Sequence, residues 1–188
     1  MNKICKLGLV LCAITAVTGV ILGGVYTMTL EPIRATKERQ KMEALAATLP
    51  GAKEFKQIEI KGDPGIITEI NEGTDGGNLV GYNFTITPKG YGGIIEIVAG
   101  VEKDGELMDI RILNMSETPG LGAKAPEPAF AGQFRNKKAE RLTLVKTTPA
   151  VESEIEAISG ATITSTAVTN GVNTALEYWQ KNLKEGAE

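Results

Sequence analysis

The stretch GIIEIVAGVEKDGELMDIRILN, residues 93–114, decides the fold class. Two runs rich in Ile, Val and Leu, 93–101 and 107–114, flank Asp104-Gly105. Glycine takes the positive φ that a tight hairpin turn demands, so the two runs read as antiparallel neighbours. Working outward, 57–61, 66–70 and 79–87 are further short runs of strand composition, bounded by turn residues such as Gly62-Asp63-Pro64, and 142–145 is another. From 165 to 183, Val168, Val172, Leu176, Trp179 and Leu183 recur at spacings of three and four. Such a stripe is one face of a helix that can cover a sheet. The class is therefore α+β, an antiparallel sheet with a C-terminal covering helix. Between them, residues 119–132 are rich in Gly, Pro and Ala and read as a long irregular loop, which in a compact domain calls for a function.

The N-terminus is of a different kind. No Asp, Glu, Lys or Arg occurs from Leu7 to Leu30. As a helix this stretch is roughly 36 Å long, enough to cross a hydrocarbon core of about 30 Å. Residues 1–30 read as a retained transmembrane anchor: the apolar region exceeds that of a signal peptide, and Leu11 before Cys12 does not suit a lipid-attachment box. Residues 31–50 read as a helical connector, with Met42, Leu45 and Leu49 on one face and Pro50-Gly51 as its stop, and 51–188 as the folded domain. Lys3 and Lys6 precede the anchor and Arg34, Lys37, Arg39 and Lys41 follow it, which leaves the side of the domain open.

Composition excludes several chemistries. The chain has no histidine, and both cysteines, Cys5 and Cys12, lie in or beside the anchor. Zinc, haem and iron–sulfur ligation and histidine-based catalysis are thereby disfavoured in the domain, and no metal site or catalytic residue is assigned. Redox chemistry here requires an organic cofactor. Without Lys3 and Lys6, 18 basic residues of the 20 face 23 acidic ones, a formal −5 that speaks against nucleic acid.

One motif carries chemistry: Ile158-Ser159-Gly160-Ala161-Thr162-Ile163-Thr164-Ser165-Thr166, small and hydroxylated residues opening into the last helix. Two readings are open. The hydroxyls cap the helix, Thr164 or Ser165 serving as cap, or the uncapped N–H groups receive an anion such as a phosphate. Ser159-Gly160-Ala161-Thr162 resembles the flavinylation signature of the FMN-binding domain family, found in the G subunits of Rnf complexes and the C subunits of sodium-translocating NADH:quinone reductases. A second stretch, Glu117-Thr118-Pro119-Gly120-Leu121-Gly122-Ala123-Lys124, is similar to the family's other signature, a loop against the flavin. Gly90-Tyr91-Gly92-Gly93 followed by the hairpin also matches the family layout. Two positions depart from it, Glu156 for the usual Asp and Met115 for a frequent His.

The resemblance implies FMN joined through its phosphate to Thr162, installed by a separate flavin transferase. It implies cofactor contacts from Ser159, Gly160, Ala161 and Thr164 and from Glu117, Thr118, Gly120, Leu121, Gly122 and Lys124. It also implies an electron-carrying component of an Rnf-type complex, with its domain on the extracytoplasmic side and other subunits moving Na+ or H+. Bland readings stand beside these. Glu117 and Lys124 are also solvated loop charges, Pro119-Gly120 is also a plain turn, and Tyr91 and Trp179 read as packing residues rather than flavin stackers. The alternatives are the C subunit of a quinone reductase or another anchored FMN carrier, and a flavin-free scaffold whose Thr-rich motif is only a cap.

Overall fold

In the computed structural model, residues 3–184 are described, and the chain divides into two compact units between Lys41 and Met42. The first unit belongs to helix α1, Lys3–Thr48. Its N-terminal part is apolar around the whole circumference, as expected of a segment with no core to face. The hydroxyls of Thr15, Thr18 and Thr29 donate to the carbonyls of Leu11, Ile14 and Val25 at 3.1, 2.7 and 2.9 Å. These threonine hydroxyls are thus satisfied within the helix, as a bilayer interior requires. It is a helix long and apolar enough to cross a membrane. Pro32, which lacks the N–H for a bond to the Met28 carbonyl, lies within the helix and does not end it. The anchor and connector are consequently one helix, and the connector's last residues belong to the second unit.

The second unit is built on a five-stranded antiparallel meander, β1 (Glu54–Ile58), β2 (Ile67–Asp75), β3 (Asn78–Ile86), β4 (Glu96–Glu102) and β5 (Leu107–Asn114), in that spatial order. The β4–β5 hairpin turns at Lys103-Asp104-Gly105, with Gly105 at φ +91° and its N–H donating to the Glu102 carbonyl. The β2–β3 hairpin turns at Gly76-Gly77, both at positive φ. β2 runs five residues beyond its apolar part because Asn71 to Thr74 are paired between β1 and β3 and Asp75 is paired with Asn78 of β3. β1 starts earlier than the expected 57, at Glu54 opposite Thr74.

Tyr82, Phe84 and Ile86 of β3 and Ile97, Ala99 and Val101 of β4 face the main core. Over them lies α3, Thr162–Asn182, with Val168, Val172, Leu176 and Trp179 inward as its periodicity predicts. The helix begins three residues earlier than expected, at Thr162 itself. The Gly/Pro/Ala stretch expected to be irregular is a succession of helical turns: a 3-10 turn at Gly122–Lys124, α2 at Pro128–Ala131, and a 3-10 turn at Gly132–Phe134. Phe130 and Phe134 anchor it in the core, their rings edge to face at 5.4 Å. β6 (Thr143–Val145) pairs in parallel with β7 (Glu154–Glu156), which strand composition did not reveal.

The sheet's second face holds the end of α1. Asn83, fully buried on β3, donates to the Leu45 carbonyl at 3.3 Å and to Thr48 Oγ1 at 2.7 Å. A Cβ on Gly73 would lie 2.5 Å from Leu49, one on Gly81 3.0 Å from the same side chain, and one on Gly100 would overlap the Thr48 carbonyl. Three strands therefore supply a glycine-floored seat for Thr48 and Leu49.

Candidate functional site

Ala161, at φ −129°, is the residue before the first turn of α3, and no side chain caps that turn. Ser165 is the first residue whose N–H closes an internal bond, to the Ala161 carbonyl at 3.0 Å. Among the described residues, the N–H groups of Thr162, Ile163 and Thr164 have no acceptor. The capping reading of the Ser/Thr cluster is thus set aside, because the hydroxyls of its two cap candidates, Thr164 and Ser165, are spent elsewhere. Ser165 Oγ donates back to the Ala161 carbonyl at 2.9 Å and accepts from the Ile158 N–H at 3.0 Å, stapling the turn. Thr164 donates to Glu117 Oε2 at 2.6 Å. Thr162 is exposed, and among the described residues its hydroxyl has no partner.

These groups open onto a hollow of about 510 Å³, within the range of small-molecule sites. One wall is the start of α3 with Gly160, Ala161, Thr162, Ile163 and Thr164; the other is Glu117, Thr118, Leu121 and Gly122; Tyr91 stands between. Gly160 at φ +75° and Gly120 at φ +78° make the turns that bring the two loops together. A Cβ on Gly160 would come within 3.0 Å of Leu121. The surface is mixed: exposed apolar Tyr91, Leu121 and Ile163 at the rim, free N–H groups at the helix end. Such a site can take a flat apolar body and an anionic group together, since a helix N-terminus carries positive potential.

Of the ten cofactor contacts inferred beside Thr162, the hollow gathers Gly160, Ala161, Thr164, Glu117, Thr118, Leu121 and Gly122. Ser159 and Gly120 are exposed just outside its lining, and Lys124 lines a separate groove with Glu127, Gln133 and Glu156. Glu117 is only 9% exposed and bonded twice, so it is not a solvated loop charge. Trp179 packs as expected, its ring against Gly105. Tyr91 does not: it is 70% exposed at the rim of the hollow. The signal for it lay in its neighbours, since three glycines around one aromatic offer no core for the ring to join.

The FMN-binding domain family matches residues 90–177, a span that begins just before Tyr91 and encloses every residue of the hollow. The chain is 38% identical to the G subunit of the proton-translocating ferredoxin:NAD+ oxidoreductase complex of Clostridium ljungdahlii, over 86% of this chain and 83% of that one. It is 36% identical to the G subunit of the Na+-translocating ferredoxin:NAD+ oxidoreductase complex of Acetobacterium woodii, over 93% and 91%. It is 32% identical to the G subunit of the ion-translocating oxidoreductase complex of Methanosarcina acetivorans, over 94% and 95%. In fold it is similar to the crystal structure of the C subunit of the Na+-translocating NADH-quinone reductase of Parabacteroides distasonis, with a TM-score of 0.61 and 19% identity, covering 81% of this chain and 96% of that one.

Proposed function

The chain belongs to the family of G subunits of Rnf-type ion-translocating oxidoreductase complexes, and from that membership we propose that it is a membrane-anchored electron carrier with FMN esterified to Thr162. The observation that carries the attachment is the uncapped start of α3, where an exposed Thr162 hydroxyl stands beside three N–H groups without an acceptor. A phosphate ester formed there meets donors already aimed at it. The residues fit the rest of the group as well. Tyr91, Leu121 and Ile163 offer apolar surface for the ring system, and Glu117, Thr118, Gly122, Gly160, Ala161 and Thr164 line the space between. Ser159, Gly120 and Lys124 shape or flank the loops.

FMN, when attached, supplies one- and two-electron transfer, while the protein supplies position and surroundings. Covalent attachment keeps the cofactor from dilution, which suits a domain on the extracytoplasmic side of the membrane. Thr162 acts once, as a nucleophile held in the active site of a flavin transferase. No ionisable carboxylate or basic side chain occurs from Leu7 to Leu30, so ion movement, of Na+ or H+, is assigned to the other subunits of the complex. The scaffold alternative required the Thr-rich motif to be a helix cap, and among the described residues no side chain performs that role.

The test is mass spectrometry of the protein isolated from its native membrane, with the chain co-expressed with a flavin transferase as a parallel sample and Thr162→Ala as control. A gain of one FMN less one water, mapped to the peptide containing Thr162 and absent in the variant, is expected. An unmodified Thr162 in the native sample would overturn the covalent reading.

A further inference from the structure

Beneath the hollow lies a carboxylate that the attachment chemistry does not call for. Glu117 Oε1 accepts from the Gly92 N–H at 3.0 Å, and Oε2 accepts from the Thr164 hydroxyl at 2.6 Å. Thr164 is 1% exposed. The carboxylate is closed in by glycines: a Cβ on Gly90 would overlap Oε1, and one on Gly122 would sit 2.7 Å from Oε2 and 2.5 Å from Thr164 Oγ1. Gly122 therefore makes room for Glu117 and Thr164, rather than only for an approaching ligand. A single side chain thus joins three segments remote in sequence. These are the glycine-rich turn carrying Tyr91, the loop carrying Leu121, and the first turn of α3, where Thr162 stands two residues before Thr164.

We propose that Glu117 is the positioning residue of the attachment site: its carboxylate ties the Tyr91 turn to the first turn of α3 and so holds Thr162 at the edge of the hollow. The inference rests on the assignment of FMN to Thr162. A carboxylate accepts and cannot donate, which fixes the direction of both bonds and commits the Thr164 proton to Glu117. Thr164 is in this way withdrawn from modification and made a strut, leaving Thr162 as the hydroxyl that faces outward. A glutamine at 117 keeps both ties with one reversed, its oxygen accepting from Gly92 and its nitrogen donating to Thr164 Oγ1. Alanine at 117 keeps neither. Valine at 164 keeps the shape and loses the strut.

The test uses the full chain in detergent as the parent, Glu117→Ala, Glu117→Gln, Thr164→Val and Thr164→Ser. Amide hydrogen exchange of the unmodified proteins is followed in peptides covering 90–93, 117–122, 159–165 and the strands β2–β5. The fraction of Thr162 carrying FMN is measured by intact mass after co-expression with limiting flavin transferase. Glu117→Ala and Thr164→Val are expected to exchange faster in 90–93 and 159–165, with the β2–β5 peptides unchanged. Their modified fraction should fall roughly tenfold or more, as befits a displaced reacting group. Glu117→Gln and Thr164→Ser should stay within about twofold of the parent, since each retains both ties. Full modification of Thr164→Val, or loosening confined to the 117–122 loop, would overturn the positioning role while leaving FMN on Thr162. An unmodified parent would instead bring down the flavin assignment, and the positioning role with it. Should Glu117→Ala fail to fold, Thr164→Val carries the decision alone, because it removes one hydroxyl and no volume.

Discussion

Ser159, Thr162, Thr164, Ser165 and Thr166 crowd eight residues with hydroxyl groups, and their surroundings sort them. Thr164 and Ser165 are buried and bonded to Glu117 and the Ala161 carbonyl; Ser159 and Thr166 are exposed but do not line the hollow; Thr162 is exposed and does. Thr162→Ala is accordingly expected to lose all covalent flavin by intact mass, and Thr166→Ala to lose none. A different residue-scale effect sits in the β4–β5 hairpin. The Glu102 carboxyl is held above its usual range, chiefly by burial and then by Asp104 and Glu106, with Lys138 and Lys103 opposing. A carboxyl raised on folding favours the protonated native state, so the stability it subtracts is full above that raised pKa, shrinks as pH falls through it, and is gone only below the ordinary carboxyl value. Glu102→Gln should therefore melt about 1–2 °C above the parent at neutral pH. Thermal scans should show the gap closing as pH drops through the carboxylate range; a gap that widens in acid would contradict the sign.

At the scale of elements, the glycines that floor the seat of α1 make a sharp prediction. Gly100→Ala would press a methyl group onto the Thr48 carbonyl, a backbone group that cannot swing aside, and is expected to cost about 3 kcal/mol in urea unfolding. Gly93→Ala, whose Cβ would meet Ser116 at an ordinary 3.7 Å, is the control. The β4–β5 hairpin was legible because Asp104-Gly105 sits between two apolar runs, and α3 because its stripe has a helical period. The far half of β2 was not, since Asn71 to Thr74 owe their strand to partners on both sides rather than to their own composition. β7 is three residues long with two charged, too short to show a period. At the site, the motif pointed to Thr162, but a hydroxyl cluster before a helix cannot announce which members are buried. An aromatic such as Tyr91 reads as a packing residue because aromatics usually serve cores, and its exposure depends on a turn whose Gly92 N–H is held by Glu117.

For the molecule as a whole, the division between Lys41 and Met42 falls within α1 and assigns its last residues to a domain that includes Ala44, Leu45 and Leu49 in its interior. The full chain is expected to remain in the membrane pellet after an alkaline carbonate wash, and a chain beginning at Met42 to be recovered in the supernatant. A chain beginning at Gly51 lacks Leu45, Thr48 and Leu49. Leaving their seat empty and Asn83 without its partners, it should melt roughly 10 °C or more below the Met42 version. Equal melting temperatures would show the seat to be incidental. The seat also bears on how the protein comes into being. A ribosome produces Leu45, Thr48 and Leu49 first, then the strands bearing Gly73 and Gly81, and Gly100 last of the three. At about 5–20 residues per second, the roughly fifty residues from Thr48 to Gly100 take some 3–10 s to appear. For that interval an apolar turn waits without its floor, and the covering helix, later still in the chain, has yet to be made. The nascent domain is thus committed to closing from its end back onto its beginning, a single late event rather than a succession of independent ones.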